Sequence, residues 1–232
     1  MLRRAAQSIG HWVFGGTCFL CHGATSAGLL CAACAADLPR LYGEGCPRCA
    51  LASPAGAVCG RCLARPPHFD GTMAALAYGF PADVLVHALK YRGELAVAEL
   101  LAQLLAERVS RAERVDCLLP VPISRNRLRE RGYNQALEIA RHLARANGVA
   151  LAPELCRRVR DTPAQTDLPW AERATNVRGA FRSEGAVTGA RIAVLDDVMT
   201  TGATLDEIAA TLKRAGAASV VNWVVARTLP AD

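Results

Sequence analysis

Eight of the ten cysteines fall as four C-x-x-C pairs, Cys18/Cys21, Cys31/Cys34, Cys46/Cys49 and Cys59/Cys62. That spacing lets two thiolates from one tight turn reach the same tetrahedral ion while backbone amides turn toward the sulfurs. The second four repeat the first four at a constant offset of 28, and the match extends to Ala27-Gly28 with Ala55-Gly56 and to Pro39 with Pro67, so a unit has been duplicated. A disulfide scaffold would need an oxidising compartment, and no unbroken apolar signal-peptide core follows Met1-Leu2-Arg3-Arg4. A redox dithiol would explain one pair but not four. The sequence therefore predicts two structural zinc ions, each in a closed shell of four thiolates that holds the fold and catalyses nothing. Sequential pairing, with Cys18, Cys21, Cys31 and Cys34 on one ion and Cys46, Cys49, Cys59 and Cys62 on the other, gives each repeat a complete site; a cross-braced arrangement stays open. His22 and His68 are read as bystanders, because four sulfurs already serve each ion.

A second chemical feature is the segment Ile192 to Thr204. An apolar run ends in Asp196-Asp197, and a loop of small hydroxyl residues around Gly202 then leads into a helix. In an open parallel sheet, ligands bind beyond the carboxyl ends of strands. The amides and hydroxyls of Thr200, Thr201, Gly202, Ala203 and Thr204 can wrap a phosphate at a helix N-terminus. Two carboxylates beside a phosphate would repel it, so their targets are neutral hydroxyls or a divalent ion. A sugar phosphate with vicinal hydroxyls satisfies both halves. The competing reading, a strand-ending turn followed by an ordinary helix cap, does not explain why a buried strand delivers two acids.

The elements that must position these groups can be read from pattern. Of 232 residues, 52% are hydrophobic and 21% charged, which excludes a disordered or fibrous chain and allows a true core. After a proline-marked linker at Arg65-Pro66-Pro67 come an extended piece at 73–78, helices over 82–91 and 94–109 and a buried strand at 115–120. A helix over 134–146, a strand at 155–159, a short helix near 171–175, the strand at 192–195, a helix over 204–215 and a last strand at 219–226 complete the chain. The alternation predicts an α/β fold, a parallel sheet covered on both faces. The domains expected are an N-terminal segment 1–17, where Ile9, Trp12 and Val13 could line one side of a short helix, a double zinc ribbon over 18–67 and the α/β unit over 73–232. Cys117 and Cys156 read as ordinary buried thiols. The longest apolar stretch, 95–106, holds Glu99 and Gln103 and is too short to cross a bilayer, so the chain is expected in the cytoplasm.

The net charge of +6 is concentrated: nine basic against three acidic side chains lie between 120 and 160. Arg125, Arg127, Arg129 and Arg131 alternate just beyond the strand that ends at Pro120, where guanidinium groups could grip phosphate oxygens bidentately. At least one of them, Arg129, is expected only to solvate a loop. Two zinc ions held by eight thiolates bring a net −4, so the loaded chain carries +2 and the ribbons lose their apparent basicity.

The Asp196-Asp197 loop resembles the binding motif of type I phosphoribosyltransferases, which hold 5-phosphoribosyl-1-pyrophosphate with magnesium. The whole chain resembles the ComF family, which joins a double zinc ribbon to a phosphoribosyltransferase-like domain. The likeness also covers Leu89-Lys90-Tyr91-Arg92-Gly93, the Pro122 to Gln135 block, and Thr162, Gln165, Leu168, Arg173, Asn176 and Phe181. The resemblance implies that Asp196 and Asp197 are the catalytic pair on the ribose hydroxyls, that residues 200–204 take the 5′-phosphate, and that Arg125, Arg127 and Arg131 bind the pyrophosphate. It implies a lid over 157–178 and a hood over 73–111 in which no acceptor base is specified. Members are associated with natural competence, the uptake and handling of single-stranded DNA. Two functions follow from the resemblance: a phosphoribosyltransferase with an unidentified acceptor, or a non-catalytic module that senses the sugar phosphate or handles single-stranded DNA alongside DNA-uptake proteins. Only 12 aromatic residues are present, with Tyr91 and Tyr133 the candidate stacking platforms. A third reading gives DNA or partner binding to the ribbons.

Overall fold

The computed structural model describes residues 16–41, 43, 45–110, 114–160 and 177–230. The N-terminal helix considered for 1–17, most of the proposed lid and the short helix near 171–175 lie outside the described residues, as do Thr162, Gln165, Leu168, Arg173 and Asn176.

The duplication is visible in the backbone. Strands β1 (Gly16–Thr17) and β2 (Ala24–Thr25) pair antiparallel, and helix α1 (Ala32–Ala36) follows. Twenty-eight residues on, Gly45 bridges Ala52 just as Thr17 pairs with Ala24, and α2 (Gly60–Ala64) repeats α1. Each first knuckle is closed by the same pair of bonds: Cys18 N donates to Gly23 O and His22 N to Cys18 O, while Cys46 N donates to Leu51 O and Ala50 N to Cys46 O.

Five strands form the main sheet: β3 (Gly71–Ala77), β4 (Cys117–Pro120), β5 (Ala150–Leu151), β8 (Arg191–Met199) and β9 (Ser219–Arg227), in the order β3-β9-β8-β4-β5, all parallel. The buried run Ile192 to Leu195 and its neighbours Val220, Val224 and Val225 are apolar because helices cover both sides of the sheet. Helices α3 (Ala82–Tyr91) and α4 (Ala96–Val109) join β3 to β4, and α6 (Gln135–Asn147) joins β4 to β5. The chain crosses the sheet one way through these and the opposite way from β8 through α7 (Ala203–Arg214) to β9. Right-handed crossovers then set α7 on the face opposite α4 and α6. The outer edge of β3 is covered by residues 39–41, where Leu41 N donates to Ala75 O and Ala77 N to Pro39 O.

Three departures from the expected elements have local causes. Residues 125–131 form a helix, α5 (Arg125–Arg131), rather than a loop: the Ser124 hydroxyl accepts from Arg127 N at its start, and Gly132 at φ 82° ends it in the left-handed conformation glycine tolerates. Strand β6 (Cys156–Arg158) leaves the main sheet and pairs antiparallel with β7 (Phe181–Ser183). Strand β8 runs through both aspartates to Met199 instead of stopping before them. Cys117 and Cys156 are buried in strands, as expected.

Candidate functional site

The thiols gather into two groups, Cys18, Cys21, Cys31 and Cys34, and Cys46, Cys49, Cys59 and Cys62, with all sulfurs of a group within 4.8 Å of one another. Pairing is therefore sequential, not cross-braced. The Cys21–Cys31 and Cys49–Cys59 sulfurs stand 3.7 and 3.6 Å apart, close to the ~3.8 Å edge of a tetrahedron with ~2.3 Å zinc–sulfur arms. The amides of Cys21 and Cys31 bring the Cys18 thiol down to about 6. Burial opposes the same change at Cys46, but the amides of Cys59, Cys49 and Arg48 outweigh it, again to about 6. Both groups are zinc-binding sites of four cysteines, and their geometry fits that ion with no coordination position left over.

The second centre of chemistry lies where the sheet reverses direction. Strand β4 pairs with β8 only as far as Leu195, so residues 196–199 run on beside β9 alone and leave a gap toward β4. The helices leaving β4 and β8 diverge to opposite faces, which makes this gap the topological switch point of the sheet. A cleft of about 590 Å³ opens there, bounded by Val121 to Ile123, by Asp196, Asp197, Thr200 and Thr204, and by α3. A larger space of about 1130 Å³, between the second ribbon and the sheet at Met73, Val221 and Trp223, contains neither the aspartate pair nor the arginine helix.

Within the cleft the two aspartates are unlike. Asp197 is 3% exposed, and Lys90 Nζ stands 3.1 Å from its Oδ2, an ion pair rather than an aligned hydrogen bond. Burial works against the Asp197 carboxylate, yet Lys90 and the amide of Val198 hold it below the usual carboxylate range. Burial and the negative Asp197 beside it push the Asp196 carboxyl well above that range. The pair thus keeps one ionised and one proton-hungry carboxyl, apt for neutral hydroxyls. The carboxylate oxygens of Asp196 and Asp197 are the donors a divalent ion would use at this mouth, with Lys90 already against one side of Asp197.

Downstream, Gly202 takes φ 85° and caps α7, and Thr201 Oγ1 accepts from Ala203 N at 3.1 Å. A Cβ at Gly202 would come within 2.7 Å of the flexible end of Met199 and 3.9 Å of the Phe69 ring, and the φ itself calls for glycine. Thr200 and Thr204 line the cleft. Across from them, α5 turns Arg127 and Arg131, four residues apart, toward the cleft; Arg125 and Arg129 are exposed on its other side. Arg131 donates to Gln135 Oε1, and its guanidinium lies 5.5 Å over the Tyr91 ring. The cleft also collects Lys90, Tyr78, Tyr91 and, from β6, Arg158. Sequence pattern alone assigns no role to Lys90 or Tyr78.

Residues 9–63 match the family model described as a double zinc ribbon domain. The chain is 34% identical over 235 residues to the DNA utilization protein YhgH of Escherichia coli strain K12, covering 98% of this chain and 96% of that one. It is 30% identical over 170 residues to competence protein F of Haemophilus influenzae, 69% and 74% covered. The chain belongs to the ComF family. Among solved structures, one described as the allosteric regulatory enzyme of purine biosynthesis is similar at 25% identity and TM-score 0.37, over 55% of this chain and 25% of that one, too distant to bear on chemistry. The ComF-family assignment accounts for the ribbon and sheet together. No described helix is long and apolar enough to cross a membrane.

Proposed function

We propose that the switch-point cleft binds 5-phosphoribosyl-1-pyrophosphate with magnesium and that the chain transfers its phosphoribosyl group to an acceptor. The observation that carries this reading is the convergence on one cleft of Asp196 and Asp197, the Thr200 and Thr204 ends of the loop, and the Arg127 and Arg131 face of α5. Asp196 and Asp197 accept from the ribose hydroxyls, residues 200–204 surround the 5′-phosphate, and the two arginines take the pyrophosphate. Lys90 keeps Asp197 ionised for this task. Magnesium, when bound with the ligand, neutralises pyrophosphate oxygens. In the reaction a nucleophilic nitrogen forms a bond to the anomeric carbon, pyrophosphate leaves with the electron pair of the broken carbon–oxygen bond, and the nucleophile loses its proton. The chain lowers the barrier by holding the sugar in place and by arginine contacts that strengthen as charge builds on the leaving group.

Calorimetry with the ligand and magnesium tests the binding. Wild type is expected to bind, and Asp196→Asn/Asp197→Asn to lose at least about tenfold in affinity, the cost of roughly one charged hydrogen bond. Absence of wild-type binding overturns the reading. Pyrophosphate release across a panel of nitrogen bases separates transfer from sensing.

A second reading, a non-catalytic factor that senses the sugar phosphate and handles single-stranded DNA, is favoured by the exposed rings at the cleft's hood, Phe80 at 81% and Tyr91 at 58%. It agrees with the names of the DNA utilization and competence relatives. Here single-strand affinity falls steeply with salt and with Tyr91→Ala, while no base releases pyrophosphate.

A further inference from the structure

Both copies of the zinc repeat contribute to one buried cluster, but they differ in their hydrogen bonds. Among the described residues, the hydrogen bonds of residues 16–37 stay within that segment. The second copy is tied to the loop at 199–204 by separate routes. Arg227, 1% exposed at the end of β9, donates Nε to Cys49 O at 2.9 Å. Its Nη1 donates to Met199 O at 2.8 Å, to Thr200 O and to Thr228 O at 3.0 Å. One buried guanidinium thus grips the backbone of a zinc ligand and the backbone at which the loop begins.

Arg48, between Cys46 and Cys49, donates to Phe69 O at 3.1 Å and stands 3.6 Å from Asp70, which also accepts from Lys213 of α7 at 2.7 Å. The Phe69 ring packs beside Gly202, and His68 N donates to Asp206 in the first turn of α7 at 2.6 Å. In the register of the repeat, Arg48 corresponds to Leu20, which can make no such contact.

Burying a guanidinium this deeply demands acceptors and a counter-charge. The carbonyls supply the first for Nε and Nη1, while Nη2 is buried with no hydrogen-bond partner among the described residues. A zinc ion with four thiolates has a formal charge of −2 and supplies the second. With the knuckle loosened, Cys49 O no longer holds its place and the Arg227 grip on Met199 and Thr200 loses its anchor. We infer that the second zinc centre, and not the first, sets the conformation of the 199–204 loop, with Arg227 as the positioning residue between them.

The test reads the loop itself and needs no ligand, so its failure is separate from failure of the proposed function. Amide hydrogen exchange is followed on the full chain, with zinc counted per molecule. Cys21→Ser and Cys59→Ser should each retain one ion. Exchange at 199–204 should rise at least tenfold in Cys59→Ser and stay at the wild-type rate in Cys21→Ser; equal effects, or none, overturn the inference. Arg227→Lys should keep both ions and speed exchange at 199–204 while Ile192 to Leu195 stay protected; an unchanged loop removes Arg227 from the role. If Cys59→Ser also loses protection throughout β4 and β8, wild type is stripped stepwise with a chelator, and alkylation of Cys21 or Cys59 reports which centre has emptied. Loop opening must then accompany Cys59 alkylation, and opening that accompanies Cys21 alone overturns the inference.

Discussion

Lys90 and Lys213 are the only lysines in a chain that otherwise takes its positive charge from arginine, and each stands against an aspartate, Asp197 at 3.1 Å and Asp70 at 2.7 Å. An ammonium is a compact point charge that fits where a planar guanidinium fork would not. Lys90→Gln removes the cation that holds Asp197 ionised, leaving burial to raise its pKa. A depressed carboxylate stabilises the fold above its ordinary value of 3.8 and loses that contribution as pH falls through the folded value. In the variant burial carries the folded value above 3.8 and the sign reverses: the buried carboxylate costs stability when ionised, protonation relieves that cost, and urea midpoints relative to wild type should rise between pH 7 and pH 5. Ligand affinity should also weaken about tenfold at pH 7 and recover on raising the pH, measured by calorimetry. The eight zinc ligands were legible because their spacing is local. Lys90 was not: it stood in the sequence within Leu89-Lys90-Tyr91-Arg92-Gly93, but its partner lies on a strand the chain reaches much later, and only the scarcity of lysine marked it.

At the scale of elements, α5 decides what alternating arginines mean. On a loop, all four could face one ligand; on a helix, residues 125 and 129 share one side and 127 and 131 the other. Arg127→Ala and Arg131→Ala should each cost about 1.5–3 kcal/mol of pyrophosphate affinity and flatten its salt dependence, while Arg125→Ala and Arg129→Ala leave both near wild type. Salt-titrated calorimetry separates the two classes. The turn between α5 and α6 depends on Asn134, whose Oδ1 accepts from Ala136 N and Leu137 N and whose Nδ2 donates to Val121 O at 3.0 Å. Asn134→Ala is expected to cost about 1–2 kcal/mol by urea denaturation. The long elements were legible: α3 spans 82–91 as its periodicity indicates, and α6, expected over 134–146, runs from Gln135 to Asn147 with Ile139, Ala140 and Leu143 buried. Two- and three-residue strands such as β5 and β7 are too short to show alternation, and α5 has no apolar face to reveal it, since none of its residues is buried.

In the molecule as a whole, ribbon and sheet share one apolar core: Cys46, Cys49, Leu51 and Cys62 belong to the same buried cluster as Phe69, Leu76 and Trp223. The proline-marked boundary near 67 is therefore a change of local style more than a seam in the packing. Removing both ions with a chelator should lower the melting temperature of the entire chain in one calorimetric transition, where two separate bodies would give two. The strand order has a consequence for synthesis. Strand β9, the last made, lies between β3, the first of the main sheet, and β8. Until it emerges, β3 has, among the described residues, no strand pairing with β8, β4 or β5, and Asp70 waits for its partner Val220, 150 residues downstream. At ~5–20 residues per second that wait lasts roughly 8–30 s on the ribosome. The nascent chain spends it with the sheet in two parts, linked through side-chain contacts such as Lys90 with Asp197 and His68 with Asp206, and the final strand closes the sheet and, through Arg227, shapes the loop in a single late step.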